Sequence, residues 1–128
     1  KDLIKNIKFK HDKFSLSKKN VLRGLHGDNK TWKLVSCPYG KFILVVVNCV
    51  KKSKNYLKWK SWIVSQKNGV QILIPPNYAN GHLCLSDQCL FHWLDCRPVW
   101  SIDQVIMALG VLLPRVRLRA GHLGGSGW

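Results

Sequence analysis

Four short clusters of polar side chains interrupt the apolar runs of this chain: His11-Asp12-Lys13, Arg23-Gly24-Leu25-His26-Gly27-Asp28, Lys33, and Asn80-Gly81-His82. An imidazole that titrates near neutrality, with an ammonium group in reach, is the minimum set for taking a proton from a carbon beside a carbonyl. The histidine removes the proton and the lysine stabilises the oxyanion that develops. A nearby arginine suits a phosphate or diphosphate through its forked donors. His26 as base, Lys33 as enolate stabiliser and Arg23 as a phosphate-facing residue are therefore candidates for one reaction. On a regular strand Arg23 and Leu25 face one way and His26 the other, so a bulge is required to bring both polar side chains into one cavity. A lone histidine on a strand also serves as a core or rim residue, and the residues by themselves leave that reading open.

Metal binding is the weaker account of the same histidines. His11, His26, His82 and His92 include no H-x-H pair, and the chain contains no Glu to complete a carboxylate-bearing ligand set. No metal and no cofactor is expected.

The elements that must position these groups read as strands. Lys33–Cys37 and Lys41–Val50 are β-branched runs joined by the turn tripeptide Pro38-Tyr39-Gly40. Trp59–Ser65 and Val70–Ile74 flank Gln66-Lys67-Asn68-Gly69, in which Asn-Gly is a hairpin signal. Pro75-Pro76-Asn77 breaks the chain before His82–Leu85 and Cys89–Leu94, which are joined through Ser86-Asp87-Gln88. Some six short strands with turn signals every ~8–12 residues predict an all-β sandwich or closed barrel.

Composition bounds the rest. The chain of 128 residues carries 21 Lys plus Arg against 6 acids, a formal charge of +15, and every acid is Asp. That is one domain at most, and a hydrophobic share of 46% excludes a disordered chain. Basic charge of this size raises the question of nucleic acid. The sixteen lysines, however, lie scattered between Lys1 and Lys67 in short polar connections, and no nucleic-acid-binding signature accompanies them. No apolar run approaches the ~20 residues that cross a bilayer. Neither nucleic acid nor membrane is expected as a partner. Cys37, Cys49, Cys84, Cys89 and Cys96 form no C-x-x-C pair and suit free thiols packed as small hydrophobes in a reducing cytoplasm.

From residue 95 the character changes: 94–128 contain no Lys and half of the ten Gly, and include the nine-residue apolar run Val105–Leu113. Two regions are expected, a β domain over 1–94 and an atypical Gly- and Arg-containing tail over 95–128, the tail having a different coding origin. The first residue is expected to lie inside a longer parent chain.

Phe9-Lys10-His11-Asp12-Lys13-Phe14-Ser15, Val21-Leu22-Arg23-Gly24-Leu25-His26, Lys33-Leu34-Val35, Ile74-Pro75-Pro76-Asn77-Tyr78-Ala79-Asn80-Gly81-His82 and Leu85-Ser86-Asp87 together resemble the dTDP-4-dehydrorhamnose 3,5-epimerase family. The resemblance implies a cupin-type β jelly roll, here truncated at its N-terminus, and a cytoplasmic, dimeric, metal-free isomerase. It implies inversion beside the keto group of a nucleotide-linked 4-keto-6-deoxy sugar, with His26 as base and Lys33 as enolate stabiliser. Arg23, His11, Lys13, Asn80 and His82 are implied as substrate-binding residues. Tyr78, in a Pro-Asn turn beside the same pocket, is a candidate to stack on the nucleotide.

The chain also departs from the family's pattern. His11-Asp12-Lys13 stands where the family has Q-D-N, and Asn77–His82 where it has G-F-A-H-G-F, so the family's second pocket histidine is Asn80 and an imidazole moves to His82. These changes are similar to a branch acting on other nucleotide-linked 4-keto sugars, GDP-linked heptoses of capsule or lipopolysaccharide among them. The family's proton-returning Tyr falls at Trp93, and indole cannot serve as that acid. His92, adjacent, is expected to point to the other face of its strand. The Asp that orients the base in the family has no matching position by pattern, with Asp95 and Asp103 both unplaced. A 3,4-ketoisomerase and a silent sugar-nucleotide binder remain alternatives, separable by what happens to the proton beside the keto group.

Overall fold

The computed structural model describes residues 7–96 and the backbone of 104–106. Among these, nine strands and no helix are present: β1 (His11–Lys18), β2 (Leu22–Asp28), β3 (Lys33–Tyr39), β4 (Lys41–Asn48), β5 (Trp59–Ser65), β6 (Ile72–Ile74), β7 (Tyr78–Cys84), β8 (Gln88–Asp95) and β9 (Gln104–Ile106). They form two sheets, one of four strands in the order β1-β8-β3-β6 and one of five in the order β5-β4-β7-β2-β9. Every described pairing is antiparallel.

Chain order explains why the two sheets face one another. All connections but the one from β4 to β5 pass from one sheet to the other, the connectivity of a jelly roll. Gly40, at φ 76, makes the turn between β3 and β4. A Cβ there would meet Ser86 Oγ at 2.5 Å and Cys89 Cα at 3.0 Å, so only glycine allows the two sheets to approach at this corner. The Asn68-Gly69 signal corrects an expectation. Gly69 does turn, at φ 60, but β5 and β6 do not pair: β5 pairs β4, and β6 pairs β3. A favourable turn reverses the chain, but the two sheets compete for the strands that follow it.

Apolar residues at alternate positions meet between the sheets. Val35 and Cys37 from β3, Phe42, Leu44 and Val46 from β4, Val64, Ile74, Cys84, and Cys89 and Phe91 from β8 form that core. The strand β4 is buried on both faces, since Val45 and Val47 join Leu25 and Ala79 in a second cluster on the outer side of the five-stranded sheet. This is why Phe42–Val47 is an uninterrupted apolar run and does not alternate. The expected boundary at 94 falls inside β8, which ends at Asp95, and β9 beyond it pairs with β2. Residues 97–103 and 107–128, which include most of the expected tail, lie outside the described residues.

Candidate active site

One end of the space between the sheets is polar, and a bulge in β2 places its first residues. Arg23 pairs with His82 and His26 with Asn80, so Gly24 and Leu25 together oppose the single residue Gly81. The extra residue turns Arg23 and His26 to the same inner face, as the chemistry requires, while Leu25 goes into the outer cluster. Gly81 is what makes room: a Cβ there would lie 2.8 Å from Arg23 O and 3.2 Å from Leu25 N.

His26 sits at the accessible mouth, its Nδ1 3.2 Å from the carbonyl oxygen of Gly24. With Nδ1–H donating to that oxygen, Nε2 carries the lone pair. Partial burial, and then the Lys33 ammonium, lower the imidazole pKa against the opposing pull of Gly24 and Asp28, so the ring is neutral at neutral pH and able to accept a proton. Lys33 reaches in from β3, and its Nζ donates to Asn80 Oδ1 at 3.3 Å. Burial lowers its pKa as well, although Asp28 and Asp95 favour its charged form. Asn80, 2% exposed, is the register partner of His26 on the neighbouring strand and accepts from Lys33 through its side chain. For Asp28, burial would raise the carboxyl, but the amides of Lys30 and Thr31, the Thr31 hydroxyl and Lys33 outweigh it and hold the pKa below the usual carboxylate value.

The facing sheet supplies a second set. Buried Asp95, the last residue of β8, lies with Oδ1 3.0 Å from His11 Nδ1 and accepts from Lys13 Nζ through Oδ2 at 2.9 Å. Asp95 therefore orients His11 and Lys13 of β1. Lys13 also lies 5.9 Å over the ring of Trp93, its register partner. Arg23 donates from Nε to Ser17 Oγ at 3.1 Å and from Nη2 to Leu16 O at 3.3 Å, a bridge from one sheet to the other. Asp103 lies outside the described residues.

Two candidates stand apart from this group. His82 faces inward but is 4% exposed, stacked on Phe91 at 4.1 Å with its Nε2 sealed and unpartnered. Burial, then Arg23 and His26, lower its pKa to about 4. Its place is beneath the polar group and not at the accessible mouth. Tyr78, the first residue of β7, is on the same inner face as Asn80 and His82 and packs against the apolar core, and it also borders a pocket of about 460 Å³ whose lining includes Asp28, Lys51, Lys52, Tyr56 and Asn77. Among the described residues no three His, Cys or Asp side chains converge as a metal site, and no helix is long and apolar enough to cross a membrane.

Two facing antiparallel sheets with an imidazole, an ammonium and an arginine on their inner faces define a cupin-type jelly roll with a polar inner site. The family described as dTDP-4-dehydrorhamnose 3,5-epimerase matches residues 1–105, and the chain belongs to that family. It is 39% identical over 90 residues to the dTDP-4-dehydrorhamnose 3,5-epimerase of Salmonella typhimurium, covering 68% of this chain and 49% of the relative. With the enzyme of the same name from Escherichia coli it is 34% identical over 111 residues, covering 77% and 60%. The crystal structure of a dTDP-6-deoxy-D-glucose-3,5-epimerase from Legionella pneumophila, in complex with dTDP-4-keto-L-rhamnose, superposes with a TM-score of 0.77 at 30% identity, covering 87% of this chain and 59% of that one. The chain thus spans about half the length of the curated relatives it matches.

Proposed function

We propose that this chain works on a nucleotide-linked 4-keto-6-deoxy sugar in the manner of a 3,5-epimerase. The observation that carries this is the neutral His26 at the mouth with the Lys33 ammonium near enough to lower its pKa, Lys33 being held by Asn80, the register partner of His26. His26 Nε2 takes the proton from the carbon next to the 4-keto group, Lys33 stabilises the enolate oxygen, and Arg23, His11 and Lys13 meet the diphosphate. Inversion needs a proton returned on the opposite face. The indole of Trp93, at the family's Tyr position, cannot donate one as an acid, so proton exchange outruns inversion in this chain. The dTDP- or GDP-linked sugar serves capsule or lipopolysaccharide synthesis, and the protein acts in the cytoplasm as a homodimer. Residues 1–94 are the catalytic domain, with 95–128 a compositionally separate tail.

The test is solvent deuterium incorporation into dTDP- and GDP-4-keto sugars, followed by mass spectrometry and NMR. Exchange that outpaces inversion, and falls about 10²- to 10⁴-fold in His26→Ala, is the expected result. No exchange leaves a silent binder, and a displaced keto group indicates a 3,4-ketoisomerase; either outcome overturns the proposal.

A further inference from the structure

The outer face of the four-stranded sheet carries a second set of reactive side chains that the epimerase site does not use. Ser36 on β3, His92 on β8 and Asp12 on β1 lie on adjacent strands, with Ser36 and His92 direct register partners. Ser36 Oγ is 2.7 Å from His92 Nδ1, and His92 Nε2 is 2.7 Å from Asp12 Oδ1. An ionised Asp12 only accepts hydrogen bonds, so the proton of the neutral ring sits on Nε2. Nδ1 then offers its lone pair, and the Ser36 hydroxyl donates to it. This is the nucleophile, base and orienting carboxylate of a serine hydrolase, with the two ring nitrogens exchanged. Phe14 stacks on His92 at 4.6 Å and is 56% exposed, as is Leu16 on the same strand face, so the surroundings are apolar.

We propose that Ser36 is an activated nucleophile that accepts an acyl group from apolar, activated carboxylic esters, with His92 as its base and Asp12 as the positioning residue. Ser36 Oγ attacks the ester carbonyl carbon while its proton passes to His92 Nδ1. The bond from that carbon to the alcohol oxygen then breaks, and the same proton goes to the departing oxygen, giving acyl-Ser36 and free alcohol. Ser36 stands where regular pairing of β3 ends, since β6 pairs only Lys33–Val35 and the register with β8 shifts beyond Ser36. The proposed step is this single acylation, read as one acyl group per chain.

A fluorophosphonate probe tests this in the full chain: Ser36 Oγ forms the bond to phosphorus, fluoride leaves, and the proton goes to His92. Peptide mapping is expected to find Ser36 labelled about tenfold or more faster than Ser15 or Ser61, with the advantage lost in the urea-unfolded chain and reduced about tenfold or more in His92→Gln. A stoichiometric burst from p-nitrophenyl acetate, absent in Ser36→Ala, is expected alongside. Labelling of Ser36 at the rate of the other serines, or an advantage that survives unfolding or His92→Gln, overturns the proposal. The urea comparison needs no variant, so a misfolded substitution cannot mask the result.

Discussion

The two halves of the space between the sheets share strands β7 and β8 and differ in chemistry. Toward one end lie Phe42, Leu44, Val64, Cys84, Cys89 and Phe91, without a charge among them. Toward the other lie Lys33, Asn80, Asp95, Lys13 and His11, joined by the bonds of Lys33 to Asn80 and of Asp95 with His11 and Lys13. Burial has opposite consequences in the two halves. In the apolar half it drives folding at roughly 25 cal/mol per Å², and it raises the Cys37 thiol pKa and pushes that of Cys89 well above the ordinary value. Thiols held in this way stay protonated and unreactive. In the polar half, burial shifts His26 and Lys33 toward their neutral forms, which leaves His26 able to accept a proton, while Asp28 and Asp95 favour the charged form of Lys33. The stable half contains no chemistry, and the reactive half depends on it for rigidity.

His82 sits on the boundary, and moving that boundary is the sharpest test. Its folded-state pKa of about 4 lies below the ordinary 6.5, so the unfolded chain binds more protons between those values. The stability this group confers is complete above about pH 6.5 and is lost as pH falls toward 4. His82→Phe, which extends the Phe42 and Phe91 stack by one ring, should remove that dependence. Urea unfolding at pH 7 and pH 4 is expected to show the unmutated chain losing about 3 kcal/mol more than the variant. Equal losses would mean that the ring is already solvated.

Gly81→Ala attacks the polar half from behind. The added methyl meets the bulged backbone of β2, so a cost of about 2 kcal/mol is expected from overpacking. Deuterium exchange should also fall, because the bulge is what holds His26 inward. Lost stability with full exchange activity would show that the bulge can shift without moving the base. The smallest effect expected is that of Trp93→Tyr, which carries the polar half one ring deeper. Placing a phenol at this position should raise the ratio of inversion to exchange about tenfold, a difference of about 1.4 kcal/mol in the barrier. An unchanged ratio would mean that the returning proton comes from elsewhere.

Six of the strands are legible in the chain because β-branched runs and turn residues are local signals, whereas β1 carries no such run and β7 begins at Tyr78, four residues before the expected His82. Trp59–Ser65 has the expected limits, and β3 extends through Tyr39, past the Cys37 limit, because the turn begins only at Gly40. Alternation also placed His92 on the outer face. What could not be read locally was which sheet receives each strand, as β5 and β6 show by pairing with β4 and β3 and not with each other. The Arg23 and His26 pair signalled the need for a bulge, but its position depends on Gly81, far along the chain on β7. Asp95 was left unplaced because its partners His11 and Lys13 are 84 and 82 residues away, and no spacing rule spans such a distance. The Asp12, His92 and Ser36 chain was missed for the same reason: each of its two bonds joins residues at least 56 positions apart.

The pairing of β1 with β8, in which His11 meets Asp95, also has a consequence for how the protein is made. A strand emerging early from the ribosome has its sheet partner only after some 80 further residues have been translated, which at roughly 5–20 residues per second is an interval of several seconds. During that time β1, with Phe14 and Leu16 on one face, is an open edge. Contacts of such high sequence separation also slow folding once synthesis is complete. The carboxylate that organises His11 and Lys13 thus joins β1 to its sheet late, and the polar end of the space between the sheets is assembled after the other strands of its core have become available.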